Sequence, residues 1–437
     1  MRRLVASPGA WHILSLAAGL AVILVLQSTQ WFFFDEWAFI ELDGAGLMAP
    51  HVGHWSLSPT LICDAFRSVF GLGSYLPYAA AMTLAHLAAA HLIWRIMMRA
   101  GSNPWIATAS TVVFIFLGTG GENILWAFQI GFVGALVFGL LAFYLAMTEK
   151  ISTPRLALVT AIALVSLTWS GTSIPVVVAT AILLLARSGW RRALVFVAIT
   201  GAVYLAWYFA FQGYNGPDTG GFAPYKLAVL VPQFIGIMLV FGFGDVFPVP
   251  FLGFAILLAI AVWLVRLLVT KRDLRFAYPA LALGAAAAVF AFMSAYSRAT
   301  MAVGAGRASR YVYLLVLLLL PLIALAITRL VRDRMPWLIG SVVALLALAG
   351  FQGVVLVNEA ARQSAIELGS DRALSAALQL YVDETPGIQL DAVPDPQWAP
   401  DITMRELIAL YDGGYLPIDD FGPKDLADVE SRVVITP

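Results

Sequence analysis

Trp31-Phe32-Phe33-Phe34-Asp35-Glu36-Trp37 is the stretch on which the reading of this chain turns. It follows an apolar run from about Trp11 to Gln30, so two adjacent carboxylates stand where a hydrophobic helix ends. An acid pair at a helix end is ordinarily a solvated boundary. Here aromatic residues flank it on both sides, which suits the membrane–water interface. Desolvation at such a place raises a carboxylate pKa toward values useful for taking a proton. His51-Val52-Gly53-His54-Trp55 follows about fifteen residues further on.

The composition around this stretch is that of a polytopic helical membrane protein. Of 437 residues 61% are hydrophobic and 12% charged, the mean hydropathy is +0.87, and runs of about twenty apolar residues recur. Net charge is zero but unevenly spread, with 15 acids and 5 bases in residues 359–437 against 11 acids and 21 bases before them. The single Cys63 excludes an internal disulfide. Met1-Arg2-Arg3 and the apolar run after it read as a retained first helix, not a cleaved signal peptide. No nucleic-acid partner is expected, and no Walker, dinucleotide or zinc-type spacing is visible.

Further spans are expected at about 75–98, 104–118, 124–147, 156–169, 174–187, 193–211, 251–269, 276–296, 311–330 and 337–357, with a surface helix over 57–70. The segment 227–243 contains Pro232, Gln233 and several glycines, and is expected to be a re-entrant or interfacial hairpin that does not cross. Eleven crossings then put sixteen bases, from Arg2 and Arg3 to Arg332 and Arg334, on one side with the N-terminus. By the positive-inside rule that side is cytoplasmic and the C-terminus is outside. The expected division is a transmembrane domain over 1–358 and a small acidic extracytoplasmic region over 359–437, with helices near 359–382 and 403–411.

This topology gathers the unusual polar residues at the outer face. Asp35, Glu36, Glu41, Asp43, His51, His54 and Asp64 lie in the first outer loop, Glu122 and Asn123 in the second, Asp218 and Asp245 in later ones. Arg298, Arg307 and Arg310 precede or open the span at 311. Arginine at the outer end of a helix opposes the positive-inside bias, which implies a specific anionic partner, either a ligand or a protein carboxylate such as Asp35 or Glu36. Arginine's planar fork suits phosphate oxygens, and an interfacial carboxylate suits abstraction of a hydroxyl proton. His51 and His54 stand three apart but lack a confirmed third metal ligand; His86 and His91 sit inside an apolar helix and read as core histidines.

Four short stretches carry a resemblance: Asp35-Glu36-Trp37, His54-Trp55-Ser56-Leu57-Ser58-Pro59, Glu122-Asn123-Ile124-Leu125-Trp126-Ala127-Phe128-Gln129 and Ser309-Arg310-Tyr311. With the long first outer loop, about eleven crossings and a small C-terminal region, the chain resembles the GT-C class of integral-membrane glycosyltransferases, over most of the membrane body. The resemblance implies an all-α bundle and transfer of a sugar from a polyprenyl-phosphate donor, at the outer face of a bacterial cytoplasmic membrane, to an envelope lipid, glycan or protein. It implies an inverting hexosyl- or pentosyltransferase with Asp35 or Glu36 as catalytic carboxylate. Arg298, Arg307, Arg310 and Tyr311 are then expected at the donor phosphate, with His51, His54, Trp55, Glu122, Asn123 and Gln129 shaping the acceptor side. Glu122 is also a candidate for holding a divalent cation such as Mg or Mn, although no metal is required. The rival readings are a polyprenyl-linked glycan ligase or polymerase, which uses arginines of later outer loops, and a flippase or other transporter, which places charges near mid-membrane.

Overall fold

The computed structural model describes residues 7–40, 47–51, 53–211, 226–269, 275–332 and 334–435. Arg2, Arg3, Glu41, Asp43, Asp218, Lys271 and Arg272 therefore lie outside the described residues. The first helix, α1 (Pro8–Gln27), and the surface helix α2 (Leu57–Phe70) precede a long bundle helix, α3 (Leu76–Arg99). Then come α4 (Pro104–Ile115), α5 (Ile130–Ala146), α6 (Thr153–Leu167), α7 (Ile174–Ser188) and α8 (Trp190–Phe211). Prolines stand in the first turn of α1, α3, α4, α6 and α7, where a missing N–H costs no helical hydrogen bond.

Polar contacts identify the two ends of the bundle. At one end His12 of α1 stacks on Trp94 of α3 with ring centroids 4.2 Å apart. At the other, Gln27 donates to the Ile124 carbonyl at 2.9 Å and accepts from the Thr83 hydroxyl at 2.6 Å. We call this second end, where Asp35 and Glu36 lie, the carboxylate end.

The segment Lys226–Val246 is one run of helical turns with α9 (Val231–Ile237) in its middle, not a hairpin. It does not cross. The backbone at Phe234 and Met238, and later Gly242, packs against the turn Val303–Arg307, and Asp245 pairs with Arg307. Middle and end thus meet the same turn. From there α10 (Pro250–Val269) runs to the opposite end, α11 (Tyr278–Arg298) returns, and α12 (Ser309–Val331) crosses again. The described residues hold nine helices long and apolar enough to span a membrane, Ala228–Val246 among them, and three shorter apolar helices. Together they are twelve, one more than the eleven crossings expected from sequence, which left the 227–243 segment out.

The last crossing is α13 (Met335–Val382), 48 residues long. At 1.5 Å per residue it reaches about 72 Å, against a hydrocarbon core of roughly 30 Å. The helix therefore passes position 358 unbroken and continues beyond the bundle. There α14 (Met404–Asp412), opened by a Thr403–Glu406 capping box, and α15 (Pro423–Val433) gather beside it. Gly118 and Gly121 let α13 approach closely: a Cβ at Gly118 would overlap the backbone of Gln352 and Leu356.

Candidate functional site

Glu36 is almost wholly buried, at 5% exposure, and both its oxygens are used. Oε1 accepts from the Tyr75 hydroxyl at 2.9 Å and the Phe128 N–H at 3.0 Å; Oε2 accepts from the Phe33 N–H at 3.0 Å. The Tyr75 hydroxyl in turn accepts from the Ala127 N–H at 2.7 Å. One carboxylate thus ties the first outer loop to the start of α3 and to the second outer loop. Burial pushes Glu36 up to about 8, against the pull of its donors.

Asp35 is different. It is half-buried, follows Phe34 at φ 52°, and makes no hydrogen bond with a described residue. Left-handed backbone at a bulky residue is strained and persists only where its surroundings enforce it. Here the Phe34 N–H donates to the Trp398 carbonyl of the C-terminal region. Burial, and next the Asp401 carboxylate, raise Asp35 above the usual aspartate value, while Arg310 and Arg298 pull it down.

The arginines divide. Arg310, in the first turn of α12, reaches Glu122 at 3.4 Å and lies over the Tyr311 ring at 5.7 Å. Arg307 belongs to the preceding turn, and its fork grips Asp245, Nη2 to Oδ1 at 2.8 Å. Although Arg307 and Arg310 stand three apart, the helix begins only at Ser309, so the two side chains part. Neither pairs directly with Asp35 or Glu36; their protein partners are Glu122 and Asp245. Tyr311 is buried against Phe234 and Phe290.

His51 and His54 face each other across a two-stranded hairpin, β1 (Pro50–His51) with β2 (His54–Trp55), turned at Gly53 with φ 77°. Burial lowers both imidazoles to about 4, and Arg298 adds to the effect on His54. Both are neutral at pH 7. His54 packs on Gly171, and Trp55 stacks on Trp207 at 5.3 Å. Asn123 is fully buried with neither amide atom partnered, and Gln129 is buried with Oε1 unpartnered. Among the described residues no three His, Cys, Asp or Glu side chains converge as a metal set.

Two solved structures share this architecture. The crystal structure of ArnT from Cupriavidus metallidurans bound to undecaprenyl phosphate aligns over 98% of this chain and 88% of that one, with TM-score 0.56 and 15% identity. The apo ArnT structure aligns over 98% and 89%, with TM-score 0.55 and 14% identity. This chain has a GT-C fold. No family model matches the sequence, and no curated protein matches it.

Within the GT-C fold the structure brings Asp35, Arg298, Arg310, Glu122 and His54 to one end of the bundle. It draws Arg307 toward Asp245 and sets Tyr311 into the core. Sequence reading missed the C-terminal contribution. Asp401 faces Asp35. Arg362 pairs with Glu359, and Glu122 adds a little to the raising of that guanidinium. Glu367, fully buried, accepts from the Trp31 N–H at 2.9 Å and from Gln363 at 2.6 Å. A signal for Glu367 existed: Ala360, Gln363, Glu367, Ser370 and Leu374 recur at helical spacing, so this acid sits on the buried stripe. Asp401 had none.

Proposed function

We propose that this protein is an inverting membrane glycosyltransferase that moves a sugar from a polyprenyl-phosphate donor to an envelope lipid, glycan or protein. Asp35 takes the proton of the acceptor hydroxyl as that oxygen attacks the anomeric carbon. The bond from that carbon to the lipid phosphate breaks, and the phosphate leaves with the electron pair. Arg310 and Arg298 stabilise that departing charge, an interaction stronger in the transition state than in the ground state. The observation that carries this reading is Asp35 itself, half-buried, without a hydrogen bond to any described residue, and within electrostatic reach of Arg310 and Arg298. The ArnT neighbour bound to undecaprenyl phosphate supports the same class of lipid partner.

In this reading Glu36 positions the loops and does not act as base, because three donors already occupy its oxygens. Arg307 makes the weaker phosphate contact, since Asp245 must release its fork. Asn123 and Gln129 offer unpartnered amide groups to a sugar hydroxyl. The region 359–437 supplies a wall of the site through Asp401. A bacterial inner-membrane location, with the C-terminus outside, goes with this reading; a reporter fused after residue 437 should be active outside the cytoplasm, and one at Lys271 inside. A transporter would carry its acids at mid-bundle, whereas Asp35, Glu36, Glu122 and Asp245 lie at one end.

Arg310 tests the proposal. A charge-assisted contact to phosphate contributes about 1.5–3 kcal/mol, so Arg310→Ala should weaken donor binding by roughly tenfold to a hundredfold. Arg310→Lys keeps the charge without the fork and should recover part of the loss. Donor binding and thermal stability are measured on the same preparations. A lowered melting temperature with unchanged binding would reduce Arg310 to a structural partner of Glu122 and sink the phosphate assignment.

A further inference from the structure

Between α4, α10, α12 and α13 runs an apolar groove of about 680 Å³, from beside Asp245 at the carboxylate end to the opposite end of the bundle. Its walls include Val113, Ile260, Trp263, Leu320, Ile327 and Leu348, and it extends from Phe243 and Val246 to a rim of Arg266, Arg329, Arg332 and Arg334. Among the described residues no acid lines it. The size falls within the roughly 300–1,000 Å³ that ligand sites occupy. A cavity that is apolar along its length and cationic at one mouth matches an amphiphile with an anionic head.

The rim is built, not merely decorated. Arg329 lies over the Phe276 ring at 4.1 Å, which fixes its guanidinium beside the groove. Arg332 ends α12 at φ 48°, a left-handed conformation that glycine would adopt without strain. An arginine at that position keeps a charge where the backbone favours none. Arg334 then caps the start of α13. The three arginines therefore bracket the turn that joins two walls of the groove. Orientation by positive charge explains basic residues on this side of a membrane, but not their convergence on one apolar mouth.

We infer that this groove binds an anionic phospholipid of the adjoining leaflet, its acyl chains between α10, α12 and α13 and its phosphate at Arg329, Arg332 and Arg334. Basic pockets between membrane helices hold phosphate head groups in this way. Its arginine mouth lies at the end of the bundle opposite Asp35, and the inference does not rest on the proposed transfer reaction. Its occupant would fill a gap between helices and so fix how α10 leans on the bundle.

The test uses the full chain in detergent, with phosphatidylglycerol and phosphatidylcholine of identical acyl chains. Native mass spectrometry should find phosphatidylglycerol retained and phosphatidylcholine lost, and phosphatidylglycerol should raise the melting temperature. At about fivefold per basic residue near the head group, the triple variant Arg329→Gln/Arg332→Gln/Arg334→Gln should bind it about a hundredfold more weakly. Ala259→Trp leaves the arginines in place and obstructs the chains, so it should also lose the lipid; it keeps the test decisive if the triple variant does not fold. Equal retention of both lipids, or unchanged binding in both variants, would overturn the inference. So would one-for-one displacement by undecaprenyl phosphate, which would make the groove part of a donor site.

Discussion

The two ends of this bundle use the same basic residue in opposite company. At the carboxylate end, Arg307 stands against Asp245, Arg310 against Glu122 and Arg362 against Glu359. At the other end, Arg329, Arg332 and Arg334 rim a groove that no acid among the described residues lines. Mixed charge in a half-buried place suits a reaction in which charge moves, because each group is already poised against an opposite one. Charge of one sign beside an apolar wall suits holding an anion that does not react. The ends should therefore fail differently when altered, and each variant below is chosen to show whether they do.

The largest effect should come from Asp35, the carboxylate that no described residue hydrogen-bonds. Asp35→Asn keeps the shape and removes the basicity. Transfer should fall by roughly two to four orders of magnitude, the range of general-base contributions, with melting temperature and phospholipid retention unchanged. The wild-type rate should fall as pH drops through the raised pKa of Asp35, and that limb should vanish in the variant. Near-wild-type transfer by Asp35→Asn would remove the base from this loop and erase the contrast between the ends.

Glu36, one residue along, should answer as a structural group. Glu36→Ala strands the Tyr75 hydroxyl and the N–H groups of Phe33 and Phe128. At about 1–3 kcal/mol per stranded buried group, melting should be lowered by several degrees or more, and activity lost with folding. Glu36→Gln sharpens the point through pH. The folded value of about 8 lies above the ordinary 4.5. The stability tied to the protonated group is thus fully present below about 4.5 and is lost as pH rises through about 8. The stability of wild type relative to Glu36→Gln should decline across that window; an increase would mean that the donors, not burial, govern this carboxylate.

Why the two acids differ was not visible in the sequence, where they are neighbours with the same flanks. Hydropathy made the crossings legible, and the surface helix over Leu57–Phe70, because period and length are local properties. The segment 227–243 was expected as a hairpin, because its glycines and Pro232 read as breaks. Helical turns instead continue through them. The pairings that form the site were out of reach of a local reading. Trp31 meets Glu367 across 336 positions, Gln30 meets Ala360 across 330, and Trp398 closes on Phe34. The tail was read as an appendage on its composition, whereas its contacts make it a wall of the carboxylate end.

That wall gives the next prediction. Gly118 lies where α13 passes the turn after α4, and a Cβ there would meet Gln352 and Leu356 backbone. Gly118→Ala should displace α13 at about 1–3 kcal/mol, the usual effect of overpacking. Thr119 and Gln352, bonded at 2.9 Å, should separate, and transfer should fall together with stability. Phospholipid retention at the far groove should change little, because the turn of Arg332 and Arg334 lies at the other end of α13. Equal damage at both ends would mean that α13 moves as one lever and that the ends are coupled.

The smallest effect concerns Phe34, whose φ of 52° precedes Asp35. Strain of this kind is of order 1–3 kcal/mol. Phe34→Gly removes the strain but enlarges the freedom of the unfolded chain, at about 0.4–1 kcal/mol. The side chain is 38% exposed, so little packing is lost. These contributions largely cancel, and the melting temperature should shift by only a degree or two. The Phe34 N–H survives in the variant, so its bond to the Trp398 carbonyl can form. What should change is how firmly the turn aims Asp35: kcat falls a few-fold while donor binding holds. Phe34→Ala supplies the control, since it retains the left-handed strain and loses the ring. If Ala lowers kcat as much as Gly does, the ring and not the backbone directs the carboxylate. If Gly alone lowers it, the strained turn belongs to the chemistry of this end.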